Sequence, residues 1–287
     1  IFSIFKSLFF LTFNRPKIIF GMGGYSSFPL CVAASILRIT FVIYENNLII
    51  GKANRYLLPL TKKIFVSHKE LEGIPNKYKF KVCEIGNLLR KEIINFNKKN
   101  LENENFDVIK ILVLGGSQAA KVFAEKLPLI FKRCKKEEIS IKVYQQCLKN
   151  QKDDLLLFYK NLNIDFEIFN FTNNIHEYFS KVNLAITRSG ASIMGELTNA
   201  NIPFISVPLP TSADNHQLKN ALYYEKISFS YLIEEKNLEA KLFDLIKLLY
   251  KDKSLLKRMK INQSQYSDKN VFQNINLQLE KIFNEKN

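Results

Sequence analysis

Three stretches of this chain combine residue types that could bind phosphate, ribose and sugar hydroxyls. In IKILVLGGSQAAKVFAEKLP a hydrophobic run leads directly into Gly115, Gly116, Ser117 and Gln118 and then into a helical pattern. Glycines allow close approach to the backbone, and the open N–H groups at a helix start favour an anion such as a diphosphate. A glycine pair after a strand serves equally as a tight turn with no ligand. In NLAITRSGASIMGELTNANIPFISVP a second strand ends in Arg188-Ser189-Gly190, and a helix starts near Ala191. Glu196 then falls roughly 9 Å from the N-terminal amides of that helix at about 1.5 Å per residue, a separation that suits a diphosphate at the helix end and a ribose at the carboxylate. A carboxylate can accept from two vicinal hydroxyls. The alternative is a solvated helix residue, against which stand the apolar neighbours Ile193, Met194 and Leu197. In the loop LPTSADNHQLKNA, residues 209–221, Asp214, Asn215, His216 and Gln217 offer the mixed donors and acceptors that sugar hydroxyls need. Asp214 or Asn215 would also serve as a helix N-cap, and the two roles are compatible. The absence of a carboxylate cluster or DxD motif points to no metal and no cofactor, with amides and arginine doing a metal's usual work.

The elements that must position these groups are legible as short β-branched or aromatic runs alternating with helical stretches. The runs are 17–20, 40–44, 62–67, 109–114, 139–144, 165–169, 183–187 and 203–208. This rhythm predicts an α/β fold with parallel sheets covered by helices, whose ligands bind beyond the carboxyl ends of the strands. The polar stretch 91–107, KEIINFNKKNLENENFD, lacks apolar periodicity and reads as a linker or an exposed helix. It divides the chain into an N-terminal domain, 1–105, and a C-terminal domain, 106–287, the latter ending in helices.

A length of 287 residues and 47% hydrophobic content support cores in two domains. With 42 Lys+Arg against 27 Asp+Glu the surface should attract something anionic, although Lys set among many Asn, Ile and Phe is also what a compositionally biased genome produces. Cys31, Cys83, Cys134 and Cys147 show no CxxC spacing, so neither a zinc site nor a disulfide framework is suggested and a reducing cytoplasm fits. The opening IFSIFKSLFFLTFNRPK is apolar but short of the roughly 20 residues that span a bilayer. Phe2, Phe5, Phe9, Phe10 and Phe13 beside Lys6, Arg15 and Lys17 suit a patch touching an anionic membrane surface, or equally a core helix left uncovered.

Six motifs then occur together: GMGGYSSFP (21–29), YENN with GKANR (44–47, 51–55), GNLLR (86–90), GGSQAA (115–120), TRSGASIMGE (187–196) and DNHQLKNA (214–221). In order and approximate spacing they resemble the MurG family from about Lys17 to Glu234. The resemblance implies a GT-B fold: two Rossmann-like parallel-sheet domains facing across a cleft, the C-terminal one for the nucleotide sugar and an incomplete N-terminal one for a lipid acceptor. It implies an inverting transfer of N-acetylglucosamine from UDP-N-acetylglucosamine to the muramyl 4-hydroxyl of undecaprenyl-linked lipid I. Such an enzyme serves peptidoglycan synthesis, and with it cell shape and division, at the cytoplasmic face of the bacterial inner membrane as a peripheral protein. By the same resemblance Ser117 and Arg90 would contact the diphosphate, Arg90 countering charge on departing UDP. Thr172 would present its backbone to uracil. Ala191, Ser192, Ile193, Met194, Gly195 and Glu196 would wrap sugar and ribose, with Glu196 on the ribose hydroxyls, and Asn47 and Gln217 would bind hydroxyls of N-acetylglucosamine.

The chain departs from the family pattern at Tyr44, where a His is usual, at Leu88, where Pro is usual, and at Tyr144-Gln145, which stand for an HQ-type strand end. A tyrosine titrates near pH 10, so it is poorly suited to a histidine's proton transfer. The family's opening strand and glycine-rich loop ending in His do not precede Ile1, and the chain begins with Ile. The catalytic base is therefore unassigned, and the expectation is that residues 1–287 bind UDP without transferring sugar. The rival readings are another GT-B enzyme acting on UDP-N-acetylglucosamine, such as a 2-epimerase, and a basic nucleic-acid-binding protein. The DNHQ and GGY motifs weigh against the first. The lack of any recognised basic-aromatic module weighs against the second, so nucleic acid is not expected as a partner.

Overall fold

The computed structural model describes residues 2–96 and 106–284, with the backbone alone at 117–120. The chain forms two compact units, one made of residues up to Leu88 together with those from Asp268 on, the other of Leu89–Ser267.

In the first unit α1 (Phe2–Phe13), β1 (Ile19–Gly21), α2 (Gly24–Ile36), β2 (Phe41–Glu45), α3 (Lys52–Leu57), β3 (Lys63–Val66) and β4 (Val82–Glu84) follow in turn. The four strands are parallel and ordered β1-β2-β3-β4. Every residue of β2 is buried, as expected of a strand covered on both faces. Its core joins Phe41, Ile43, Ile64 and Val66 to Leu11 of α1 and Cys31 and Ala34 of α2.

The second unit contains α4 (Lys91–Ile94), β5 (Ile109–Leu114), α5 (Gly116–Lys136), β6 (Ile141–Gln146), α6 (Lys152–Asn161), β7 (Asp165–Phe169), α7 (His176–Phe179), β8 (Leu184–Thr187), α8 (Ala191–Asn199), β9 (Phe204–Ser206), α9 (His216–Lys226), β10 (Ser230–Leu232), α10 (Leu238–Lys251) and α11 (Ser254–Ser264). Its parallel sheet is ordered β10-β9-β8-β5-β6-β7. The chain enters at the centre with β5, steps outward to β6 and β7, then returns past β5 to β8 and continues outward the other way. That reversal between β5 and β8 opens a crevice at the carboxyl ends of the two strands, the usual ligand position in a doubly wound sheet. The register pairs Leu114 with Thr187, so Gly115 and Arg188 leave the sheet side by side. Helix α12 (Val271–Asn284) then completes the first unit.

The α/β class and the parallel sheets are as the alternating runs predict, and each of the eight runs overlaps a strand. The two strands without a predicted counterpart, β4 and β10, are three residues long and lie at sheet edges. The division of the chain differs from the expected 105/106 boundary. In the polar stretch 91–107, Ile93 and Ile94 of α4 are buried in the second unit, and residues 97–105 lie outside the described residues. Residues from Asp268 belong to the first unit because specific bonds tie them there. The Asp268 carboxylate accepts from the Asn87 backbone N–H at 2.8 Å and from Asn87 Nδ2 at 3.1 Å, and Asn274 Nδ2 donates to the Ile85 carbonyl at 3.2 Å.

Candidate functional site

At the reversal of the second sheet two helices begin without side-chain caps. Gly115 precedes α5 and Gly190 precedes α8, and a glycine at that position supplies no side-chain cap. Both helices direct their first N–H groups and the positive end of a dipole towards the strand ends. Gly116 takes φ +64°, a left-handed conformation that a side chain disfavours, and a β-carbon built there would meet nothing within 4 Å. The position thus calls for glycine through its backbone, next to open space. The Ser117 side chain lies outside the described residues.

Beside these helix ends lies a cavity of about 430 Å³, with Leu114, Gly116, Gln146, Phe171, Thr172 and Glu196 among its walls. Phe171 is 80% exposed, an aromatic face left open where the cavity begins. Thr172 is fixed by a local turn in which its hydroxyl accepts from the Asn174 N–H at 3.0 Å. Glu196 is 8% exposed, which excludes the reading of a freely solvated helix residue. Its carboxylate is held by Arg90 through two parallel bonds, Nε to Oε1 at 3.0 Å and Nη2 to Oε2 at 2.9 Å. A third bond runs from Arg90 Nη1 to the Asn173 carbonyl at 2.7 Å. Arg90 and Glu196 are thus brought together, the guanidinium engaged by a carboxylate and by the loop that carries Phe171 and Thr172.

The other residues of the TRSG and DNHQ motifs brace the loops. Arg188 is buried, its Nη1 donating to the carbonyls of Val207 and Pro208 at 3.2 Å each and its Nη2 paired with Glu235. Gln217 accepts two backbone N–H groups at Oε1, from Ser189 at 3.2 Å and Leu209 at 3.0 Å, linking the turn after β8 to the turn after β9. Asn220 Nδ2 adds a bond to the Ser189 carbonyl at 3.0 Å. Asp214 and Asn215 both adopt left-handed backbone, which their side chains tolerate, and Asn215 precedes α9 without capping it. The capping alternative for Asn215 is therefore not realised.

In the first unit the YENN and GKANR motifs form one network around Glu45, which is buried. Its carboxylate accepts from the Asn47 N–H at 3.2 Å, Asn47 Nδ2 at 2.9 Å, the Gly51 N–H at 2.9 Å and Asn54 Nδ2 at 3.0 Å. Asn47 is thus held in place by a residue to which the sequence motifs assign no role. Tyr44 is a tether: its hydroxyl hydrogen-bonds Ser67 at 2.7 Å and accepts from the Leu88 N–H at 3.0 Å. Burial raises its pKa above the ordinary phenol value, which removes it from proton transfer near neutrality. His68 is buried and pushed down to about 4 by desolvation, so it is neutral at physiological pH.

A larger cavity of about 550 Å³ lies at the amino ends of β2 and β3, lined by Arg38, Lys62, Lys63 and Lys81 among others. Lys81 there donates to the carbonyls of Leu58, Pro59 and Thr61 at 2.7–3.0 Å, capping the carboxyl end of α3. It faces away from the strand ends at which the motifs converge.

Residues 110–275 match the glycosyltransferase family 28 C-terminal domain and residues 1–66 its N-terminal domain. The chain is 36% identical over 287 residues, 99% of its length and 79% of the relative's, to the UDP-N-acetylglucosamine--N-acetylmuramyl-(pentapeptide) pyrophosphoryl-undecaprenol N-acetylglucosamine transferase of Pelagibacter ubique (strain HTCC1062). It is 34% identical over 251 residues to the protein of the same description from Rickettsia canadensis (strain McKiel), covering 85% of this chain and 71% of that one. Among solved structures it resembles Acinetobacter baumannii MurG with a TM-score of 0.78 at 22% identity, over 97% of this chain and 78% of that one. It resembles S. aureus MnaA, solved with UDP, with a TM-score of 0.72 at 17% identity, over 98% and 80% of the two chains. At these identities the structural likenesses speak for the fold.

Proposed function

Because the chain belongs to glycosyltransferase family 28, and within it to the MurG family, we propose that it transfers N-acetylglucosamine from UDP-N-acetylglucosamine to the muramyl 4-hydroxyl of undecaprenyl-pyrophosphoryl-N-acetylmuramyl-pentapeptide. The observation that carries this reading to the residues is the buried Glu196 carboxylate in a cavity beside two uncapped helix starts. Uracil lies against Phe171 and the backbone of Thr172. The ribose hydroxyls donate to Glu196, within the run Ala191–Glu196, and the diphosphate takes the amides of α5 with Ser117. Gln217 binds a hydroxyl of N-acetylglucosamine, and the first unit takes the lipid acceptor. The acceptor hydroxyl attacks the anomeric carbon from the face opposite the diphosphate; the C–O bond to UDP breaks, the configuration inverts and the hydroxyl proton leaves to a base. Negative charge growing on the UDP oxygens meets helix-terminal N–H groups, which are fixed before reaction and cost little reorganisation.

The protein works peripherally at the cytoplasmic face of the inner membrane, touching anionic lipid through α1. Incubating the whole protein, together with any residues that precede Ile1, with radiolabelled UDP-N-acetylglucosamine and a short-chain lipid I should yield lipid-linked disaccharide and UDP in equal amounts. Release of N-acetylmannosamine from the nucleotide sugar without lipid would move the protein to the epimerases instead.

A further inference from the structure

We propose that Gln146 is a nucleobase-binding residue whose side-chain amide donates to the 4-carbonyl of uracil. The inference rests on the reading that the cavity beside Glu196 takes UDP, and it adds a residue to that site.

Gln146 is the last residue of β6, and the alternation of side chains along the strand sets the face from which its amide projects. Gln145 points towards α6, where the Tyr159 hydroxyl donates to its Oε1. Tyr144 and Gln146 therefore project from the opposite face, on which Tyr144 meets the Tyr178 ring of α7 edge-on at 6.1 Å. There Gln146 shares the cavity wall with Phe171, Thr172 and Ile175. Two bonds hold the loop after β7 beside the end of β6: the Cys147 N–H donates to the Phe169 carbonyl at 2.9 Å, and Asn170 Nδ2 donates to the Cys147 carbonyl at 3.0 Å. The half-buried Gln146 amide has no hydrogen-bond partner among the described residues, so its two donors and its acceptor are open to a ligand.

The edge of the base that meets this amide follows from the sheet order. Strands β6 and β8 flank β5, so they lie about 10 Å apart. With the ribose hydroxyls on Glu196, in the helix after β8, the base extends over β5 towards β6. Its edge farthest from the ribose, which carries N3–H and the 4-carbonyl, then comes to Gln146. A carbonyl oxygen has two lone pairs, so it accepts from Gln146 Nε2 and still has one for the backbone at Thr172. Phe171 complements this contact without replacing it, since every base has a face on which an aromatic ring can stack and only the edge tells one base from another.

Calorimetry with UDP and CDP, on the whole protein with any residues that precede Ile1, tests the assignment. Gln146→Ala should weaken UDP by about fivefold, the usual loss for one neutral hydrogen bond. Its thermal midpoint should stay at the wild-type value, because truncating an unpartnered side chain strands no other polar group. Gln146→Glu keeps the length of the side chain but only accepts, so it faces the 4-carbonyl of uracil with a second acceptor and the 4-amine of cytosine with a partner. The ratio of UDP to CDP affinity should therefore fall by at least about fivefold in Gln146→Glu. The ratio is the decisive quantity, since the new negative charge repels both diphosphates alike. An unchanged ratio would show that the side chain acts on a part the two nucleotides share, and would overturn the proposal; so would wild-type UDP affinity in Gln146→Ala. Failure of the donor reading is separate and visible first, as a wild-type protein that binds no UDP, and it would remove the proposal with it.

Discussion

Gln217 shows how a residue's chemistry is decided by what its other end is doing. Two backbone N–H groups donate to its Oε1, which turns Nε2 and its two donors away from the braced loops. Gln217→Glu should therefore keep the fold, since a carboxylate accepts the same two bonds, but present an acceptor where the sugar met a donor. We expect UDP-N-acetylglucosamine to bind about tenfold more weakly while UDP is unaffected, as measured by calorimetry; a matching loss on UDP would place Gln217 away from the sugar. Gln217 was legible in DNHQ, but its orientation was not, because its partners Ser189 and Leu209 lie in the turns after two other strands and no local pattern pairs them with it. The same holds for Arg90 and Glu196, each visible in its own motif and invisible as a pair. Glu45 lay within a motif yet carried no assigned role: four donors converging on one carboxylate is a property of the folded loop. Tyr44 was visible as a departure from the family, and only its bonds to Ser67 and Leu88 show that it ties the chain down.

At the scale of elements, strands were legible wherever β-branched and aromatic residues ran for four or more positions, and β4 and β10 stand in no such run. Helix α1 is a different case, since its composition was plain but its environment was not. Leu11 is buried against the first unit, while Phe2, Phe5, Phe9 and Phe13 are 64–72% exposed, at spacings of three and four that line up along one face. Among the described residues no helix is long and apolar enough to cross a membrane, and an exposed aromatic stripe beside Lys6 suits the membrane interface. Phe5→Ser with Phe9→Ser should leave the thermal midpoint almost unchanged, because neither ring is buried. Partitioning onto vesicles containing phosphatidylglycerol should fall by at least about tenfold, given the roughly 1.5–3 kcal/mol that each ring contributes on burial. Sedimentation with the vesicles at the wild-type level would show that this face does not meet lipid.

At the scale of the whole molecule, the path of the chain was the least legible feature. The apolar pattern of 271–284 predicts a helix but not the unit on which it packs, and the tie rests on Asp268, whose partner is Asn87 in a distant turn. Gly86 in that turn takes φ +97°, and a β-carbon built there would fall 2.6 Å from Asp268 Oδ1. Gly86→Ala therefore carries two separable costs. One is backbone strain of about 1–3 kcal/mol. The other is displacement of Asp268 from the Asn87 N–H groups, with loss of charge-assisted bonds worth about 1.5–3 kcal/mol each. Asp268→Ala alone imposes only the second cost, and it also empties the space that the new methyl group needs. The two changes should therefore be less than additive: Gly86→Ala in the Asp268→Ala background should cost at least about 1 kcal/mol less than in the wild type. Two units need not unfold together, so hydrogen exchange at the amides of β2 and β3 is the appropriate measure, with β5 and β8 as an internal control. Additivity within about 0.5 kcal/mol would mean that the methyl group and the carboxylate do not meet, and that the return of the chain is held by α12 packing through Val271, Ile275 and Ile282.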